Sequence, residues 1–80
     1  AIYLYIKGMN ITDHALDRMI ERGFTPDMLG KFLASRYRIL AAKNGRYKLV
    51  GVVDGDTWTL VVEADMYTLV TVRKAHGGEA

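Results

Sequence analysis

The stretch NGRYKLVGVVDGDTWTLVVEADMYTLVTVRK, residues 44–74, decides the fold. Apolar and polar side chains alternate through it with a period of two, the signature of half-buried strands rather than of a helix. Turn chemistry interrupts the alternation. Asn44-Gly45 is a strong hairpin signal, because a two-residue type I′ turn needs positive φ at both central positions and these residues tolerate it. Asp54-Gly55-Asp56 makes a second turn and Ala64-Asp65-Met66 a third. Working outward, the chain divides into candidate strands 36–43, 46–53, 57–63 and 67–74. Their connections are too short for crossover helices, so neighbours run antiparallel in a meander. Strand parity assigns Tyr47, Leu49, Gly51, Val53, Trp58, Leu60, Val62, Val70 and Val72 to a buried face. Arg46, Lys48, Thr57, Thr59, Glu63, Tyr67, Thr71 and Arg73 fall on the opposite, wet face.

Upstream of residue 35 the apolar period is helical. Thr12 is placed to cap a first helix, Asp13 suits its first turn, and Gly23 sits where a helix-ending glycine belongs. Thr25-Pro26-Asp27 starts a second helix that runs to about Ala34, with Met28, Leu29, Phe32 and Leu33 as its apolar face. Residues 2–7 alternate Ile, Leu and Ile with Tyr, Tyr and Lys, which reads as an additional strand ended by Gly8-Met9-Asn10. The expected fold is α+β: two N-terminal helices packed on one face of a four- to five-stranded antiparallel meander, the face that holds Trp58. Residues 1–80 form one domain, with 75–80 as a frayed tail. A chain that opens on Ala1 is compatible with the C-terminal fragment of a longer protein.

Composition narrows the classes of function. Half of the 80 residues are hydrophobic and a quarter charged, which fits a folded domain and argues against disorder. There is no cysteine, hence no disulfide or thiolate metal site. No apolar run approaches the ~20 residues of a membrane span, and residues 2–6 are too short for a signal peptide. Net charge is only +2, so a nucleic-acid surface has to come from segregation of charge rather than from its total.

The first helix carries the chemistry. His14, Arg18 and Arg22 stand at i, i+4 and i+8, one line along the helix with about 40° of drift per step. Ala15, Met19, Leu16 and Ile20 cover the core-facing arc, so His14 points away from the core and Arg22 lies at its border. A solvated histidine beside arginines is also common on ordinary helices, and the helix dipole alone favours a cation at Arg22. His14 with Asp13 and Asp17 makes no metal site, since no second histidine or cysteine stands at ligand spacing.

The string His-Ala-x-x-Arg-Met-x-x-Arg-Gly at residues 14–23, with a second helix after it, resembles the small HA-x-x-R domains grouped with the barnase/EndoU/colicin/RelE-like ribonucleases. These include toxin domains of contact-dependent inhibition systems, prophage-associated nucleases and toxin–antitoxin modules. The resemblance is specific over residues 11–33 and architectural beyond them. It implies a metal-independent endoribonuclease, without cofactor, cleaving tRNA or another cellular RNA in the bacterial cytoplasm. It also implies a cognate immunity protein or antitoxin whose acidic surface covers the basic cleft of the monomeric toxin, and delivery into target cells where the domain belongs to a larger toxin.

In such a reaction the ribose 2′-hydroxyl attacks the adjacent phosphorus and the 5′-oxygen leaves. His14 is the best proton carrier, its ordinary pKa of about 6.5 allowing exchange near neutrality. Arg18 and Arg22 offer forked donors to the nonbridging oxygens. Thr71 matches the hydroxyl residue that members of the group often carry on the last strand, and Arg46, Lys48 and Arg73 would bind flanking phosphates. His76, in the expected tail, is a candidate acid, Glu63 a candidate base if it sits beside an arginine, and Tyr3, Tyr5, Tyr37, Tyr47 and Tyr67 offer stacking surfaces. Two other classes stay open on the residues alone: a noncatalytic RNA-binding module, and a protein-interaction domain.

Overall fold

The computed structural model describes residues 4–6 and 8–75. Its elements are β1 (Leu4–Ile6), β2 (Met9–Ile11), α1 (Asp13–Arg22), α2 (Pro26–Ala34), β3 (Arg38–Ala41), β4 (Tyr47–Val53), β5 (Asp56–Val62) and β6 (Thr68–Lys74). Six strands form one sheet in the order β1-β2-β6-β5-β4-β3, with both helices on one face.

The expected meander is there: β3, β4, β5 and β6 pair antiparallel in sequence order. Asn44 and Gly45 both have positive φ, at 61° and 73°, and the Arg46 amide donates to the Lys43 carbonyl at 3.2 Å. Asp54 and Gly55 repeat the pattern at 50° and 87°. Both are type I′ turns, whose twist suits the flanking strands. The third connection depends on a side chain. The Asp65 carboxylate accepts from the Thr68 hydroxyl at 2.6 Å and from the amides of Tyr67 and Thr68, each at 2.9 Å. The hydroxyl bond, followed by the Tyr67 amide, holds the Asp65 pKa below its ordinary 3.8.

Three expectations are corrected. First, the sheet is mixed and has six strands, not an antiparallel meander of four or five. Gly8-Met9-Asn10 does not simply end a strand, because Met9–Ile11 is itself one: it forms a hairpin with β1 and then lies parallel to β6, Asn10 opposite Thr68 and Ile11 opposite Leu69. Met9 and Ile11 are buried on the helix side, and that burial outweighs the breaker signal of their neighbours. Residues 2, 3 and 7 of the expected N-terminal strand and 76–80 of the expected tail lie outside the described residues.

Second, β6 carries a bulge. Val61 pairs with Thr71 but Val62 pairs with Leu69, so Val70 is an extra residue that reverses parity behind it. Leu69 therefore takes the core position expected of Val70, which is half-buried. Third, the edges of both faces differ from the expectation. Tyr47 is 36% exposed, because α2 ends at Ala34 and covers β4 only farther along, around Gly51. Thr59, expected on the wet face, is fully buried in a cross-strand row that runs Arg38, Val50, Thr59, Arg73. Long arginine stems flanking such a row shield it while their heads stay in water.

The core joins Ala15 and Met19 of α1, Phe24, Leu29 and Phe32 of α2 and its approach, and Leu49, Trp58, Leu60, Val62, Leu69 and Val72 of the sheet. Each large side chain so buried contributes about 1.5–3 kcal/mol. Trp58 is buried as expected, its ring 4.9 Å from that of Phe24. Its Nε1 has no hydrogen-bond partner among the described residues, a cost of about 1–3 kcal/mol.

Gly51 is the closest approach of helix and sheet. A Cβ there would stand 3.0 Å from Phe32 Cε2, 3.1 Å from Tyr37 Cβ and 3.2 Å from Ser35 Oγ. Gly51→Val should therefore lower stability by about 1–3 kcal/mol through overpacking, despite the better strand propensity of valine. Denaturant unfolding followed by Trp58 fluorescence measures it, and an unchanged midpoint would show that α2 yields freely.

Candidate functional site

Helix α1 begins where β2 ends, and its first hydrogen bonds tie it to β6. Thr12 Oγ1 accepts from the Ala15 amide at 3.1 Å, capping the helix, and donates to the Leu69 carbonyl at 2.9 Å. At the other end of the helix, Arg22 Nη1 donates to the Val72 carbonyl. β2 pairs with β6 only as far as Leu69. Beyond it, the outer edge of β6 has no strand partner among the described residues, and α1, packed against β6 on the inner face, reaches that edge through Arg22. Arg22 thus satisfies a carbonyl that would otherwise be an open ladder position.

Helix geometry explains which side chains remain outside. Ala15 and Met19, about 40° apart on the wheel, are the buried residues of α1 and mark the centre of its core-facing arc. His14 and Ile20 each lie roughly 120° from that centre on opposite sides, and both are exposed. Ile20, expected in the core stripe, is 73% exposed. Arg22 falls at the arc's margin, which lets it reach β6, and Arg18 stands between Arg22 and His14. Arg18 Nη1 is paired with the Glu21 carboxylate one turn along. His14, Arg18 and Arg22 follow one another along α1; Arg22 is the one bonded to the β6 edge, and both guanidiniums already hold a partner. Carboxylates of Asp13, Asp17 and Glu21 share the exposed side of the helix with His14.

The outer sheet face, opposite the helices, holds the other expected residues. Thr71 lies in a cross-strand row Leu40, Lys48, Val61, Thr71 that crosses from β3 to β6. At strand spacing, Lys48 is about 10 Å from Thr71. Arg73 and Arg38 end the neighbouring row. Arg46 is half-buried and its Nε donates to Glu63 Oε1 at 2.8 Å. Charge on the domain is segregated: Arg38, Arg46, Lys48 and Arg73 share the outer face with Glu63, while Asp13, Asp17 and Glu21 lie on α1 and Asp54 and Asp56 at the β4–β5 turn. Lys31 pairs with Asp54 at 3.2 Å and Lys74 with Asp56 at 3.6 Å, both exposed and worth about 1 kcal/mol or less.

Sequence reasoning left two features unmarked. Glu63 meets its stated condition, an arginine beside it, yet nothing in the spacing of residues 46 and 63 links the two; only the β4–β5 register does. Lys43, read as the end of a strand, and Asn44, read as a turn residue, line an open depression of about 590 Å³ together with Arg46, Lys48, Ala41, Ala42 and Val61. His76 lies outside the described residues. Among the described residues no group of three His, Cys, Asp or Glu side chains is arranged to hold a metal ion, and no helix is long and apolar enough to cross a membrane. In comparisons with known proteins, no family model, curated protein or solved structure matches the chain.

The two arginines of α1 should separate by stability. Arg22→Met keeps the stem and removes the donor, so it should cost about 1 kcal/mol and speed amide exchange along residues 70–74. Arg18→Met breaks an exposed ion pair and should cost no more than about 0.5 kcal/mol. Equal effects would mean that the Val72 bond does not anchor the helix.

Proposed function

We propose that this domain is a metal-independent endoribonuclease of the toxin kind, acting on tRNA or another cellular RNA and held in check by a cognate immunity protein or antitoxin. The observation that supports this reading is the gathering of Arg38, Arg46, Lys48 and Arg73 on the sheet face opposite the helices, with α1 bonded to β6, the strand that carries Thr71 and Arg73. The row from Lys48 to Thr71 ends at β6, to which α1 is bonded through Thr12 and Arg22, with His14 exposed and Arg18 half-buried on that helix. A phosphodiester strand lying over the basic face would meet phosphate-binding cations first and a proton carrier at its margin.

In the proposed reaction the 2′-hydroxyl loses its proton to a base as its oxygen bonds to phosphorus. The bond to the 5′-oxygen breaks, and that oxygen takes a proton from an acid, leaving a 2′,3′-cyclic phosphate and a 5′-hydroxyl. His14 serves one of the two proton transfers. Glu63, held beside Arg46, is the described carboxylate on the basic face and the candidate for the other. Arg18 exchanges Glu21 for a nonbridging oxygen in the bound state, and the exposed ion pair makes that exchange inexpensive. Arg22 holds the helix rather than the substrate.

The inhibitor is proposed to carry an acidic surface that covers Arg38, Arg46, Lys48 and Arg73, one inhibitor to one domain. The site of action is the bacterial cytoplasm, reached by delivery where the domain is part of a larger toxin.

One observation favours a second reading, a noncatalytic RNA-binding module: the carboxylates of Asp13, Asp17 and Glu21 that flank His14 oppose approach of phosphate to α1. Incubating the purified domain with total RNA in EDTA separates the two. The nuclease yields discrete fragments with 2′,3′-cyclic phosphate ends, abolished in His14→Ala while stability changes by no more than ~0.5 kcal/mol. A salt-sensitive gel shift without cleavage would make the module a binder, and cleavage retained by a folded His14→Ala variant would remove His14 from the mechanism.

A further inference from the structure

The depression at the β3–β4 turn is a built concavity at the margin of the basic face. Lys43, Arg46 and Lys48 line it together with Ala42 and Val61, and the Glu63 carboxylate stands beside it on Arg46. Its volume, about 590 Å³, falls within the range of small-ligand pockets.

Its backbone is set by the turn. Asn44 and Gly45 hold the positive φ values of the type I′ turn, and the Ala42 amide donates to the Arg46 carbonyl at 2.9 Å across its neck. The Arg46 guanidinium is held by Glu63 at 2.8 Å. A concavity whose cations stand on a rigid hairpin loses little conformational freedom on binding. Cations above an apolar floor suit a ligand with an anionic part and a flat apolar part. The side-chain amide of Asn44 adds both a donor and an acceptor.

We infer that this depression is a subsite for one unpaired nucleotide of the RNA, some two strand spacings, about 10 Å, from Thr71. Its phosphate lies on Lys43 and Lys48, its base rests over Ala42 and Val61, and Asn44 faces the base edge. A base within a duplex is stacked between its neighbours and has no free face to lay on this floor, so the subsite selects single-stranded or looped RNA. The assignment rests on the RNA reading above and adds to it the strand state of the substrate and the residues that select it.

The test is fluorescence anisotropy of a labelled 2′-O-methyl pentaribonucleotide, which lacks the attacking hydroxyl and is not cleaved, titrated over a series of salt concentrations. Lys43→Ala and Lys48→Ala should each weaken binding about tenfold and lower the magnitude of the salt slope by about 0.7. Lys31→Ala, the same change of charge at an exposed position of α2, should do neither. Asn44→Gly keeps a turn that glycine tolerates, and it should reduce discrimination among pentamers of different base. A duplex of the same sequence should bind more weakly than the single strand. If the wild-type domain binds the pentamer but Lys43→Ala and Lys48→Ala behave like Lys31→Ala, the subsite is refuted and the RNA reading stands. If the wild-type domain binds neither single strand nor duplex, both fall.

Discussion

The fold depends on how α1 is seated against β6. Ala15 and Met19 are buried against the sheet, Thr12 binds the Leu69 carbonyl at the start of the helix, and Arg22 binds the Val72 carbonyl at its end. These contacts answer two separate needs. The sheet's inner face needs an apolar cover, and β6 needs something along the edge that the short β2 leaves unpaired. Because one helix meets both, its rotation is fixed, and the rotation decides which residues remain outside. His14 and Ile20 are exposed for the same geometrical reason, being equally far from the buried arc. Farther along, Gly51 lets α2 sit close enough for Phe32 to enter the core.

The same arrangement sorts the charges. Acidic residues gather on the exposed side of α1 and at the β4–β5 turn, while the face opposite the helices collects arginines and lysines around Glu63. A chain with a net charge of only +2 thereby presents a basic sheet face, which suits an electrostatic encounter with a polyanion or an acidic inhibitor. His14 is exposed on α1 among those carboxylates. It can act on a strand lying over the sheet only if that strand passes the β6 edge, close to the carboxylates of α1.

Much of this was legible in the sequence where local chemistry decides structure. Period-two alternation and the Asn44-Gly45 and Asp54-Gly55 dipeptides specify the meander, and Thr12, Gly23, Thr25 and Pro26 delimit the helices, because caps and turns are local devices. What depended on distant contacts was not legible. Strand β2 has three residues, too few for a pattern, and exists because β1 and β6 pair with it. The bulge at Val70 slips the register on account of a neighbouring strand, exchanging Val70 for Leu69 in the core. For the candidate site, the i, i+4, i+8 spacing aligns His14, Arg18 and Arg22 on one line, but it carries no sign that Arg22 is spent on a backbone carbonyl. The Arg46–Glu63 pair and the depression beside Lys43 arise from strand register, which the separate strands do not reveal.

The central claim is that the α1 edge and the outer sheet face form one continuous RNA surface. Amide chemical-shift mapping by NMR, with an uncleavable 2′-O-methyl oligoribonucleotide added to the folded domain, tests it most directly. The account predicts one contiguous set of perturbed amides that runs from Lys43 and Lys48 through Thr71 to His14. Perturbation confined to the sheet, with His14 and Arg18 unmoved at saturation, would contradict it and leave the helix outside the site.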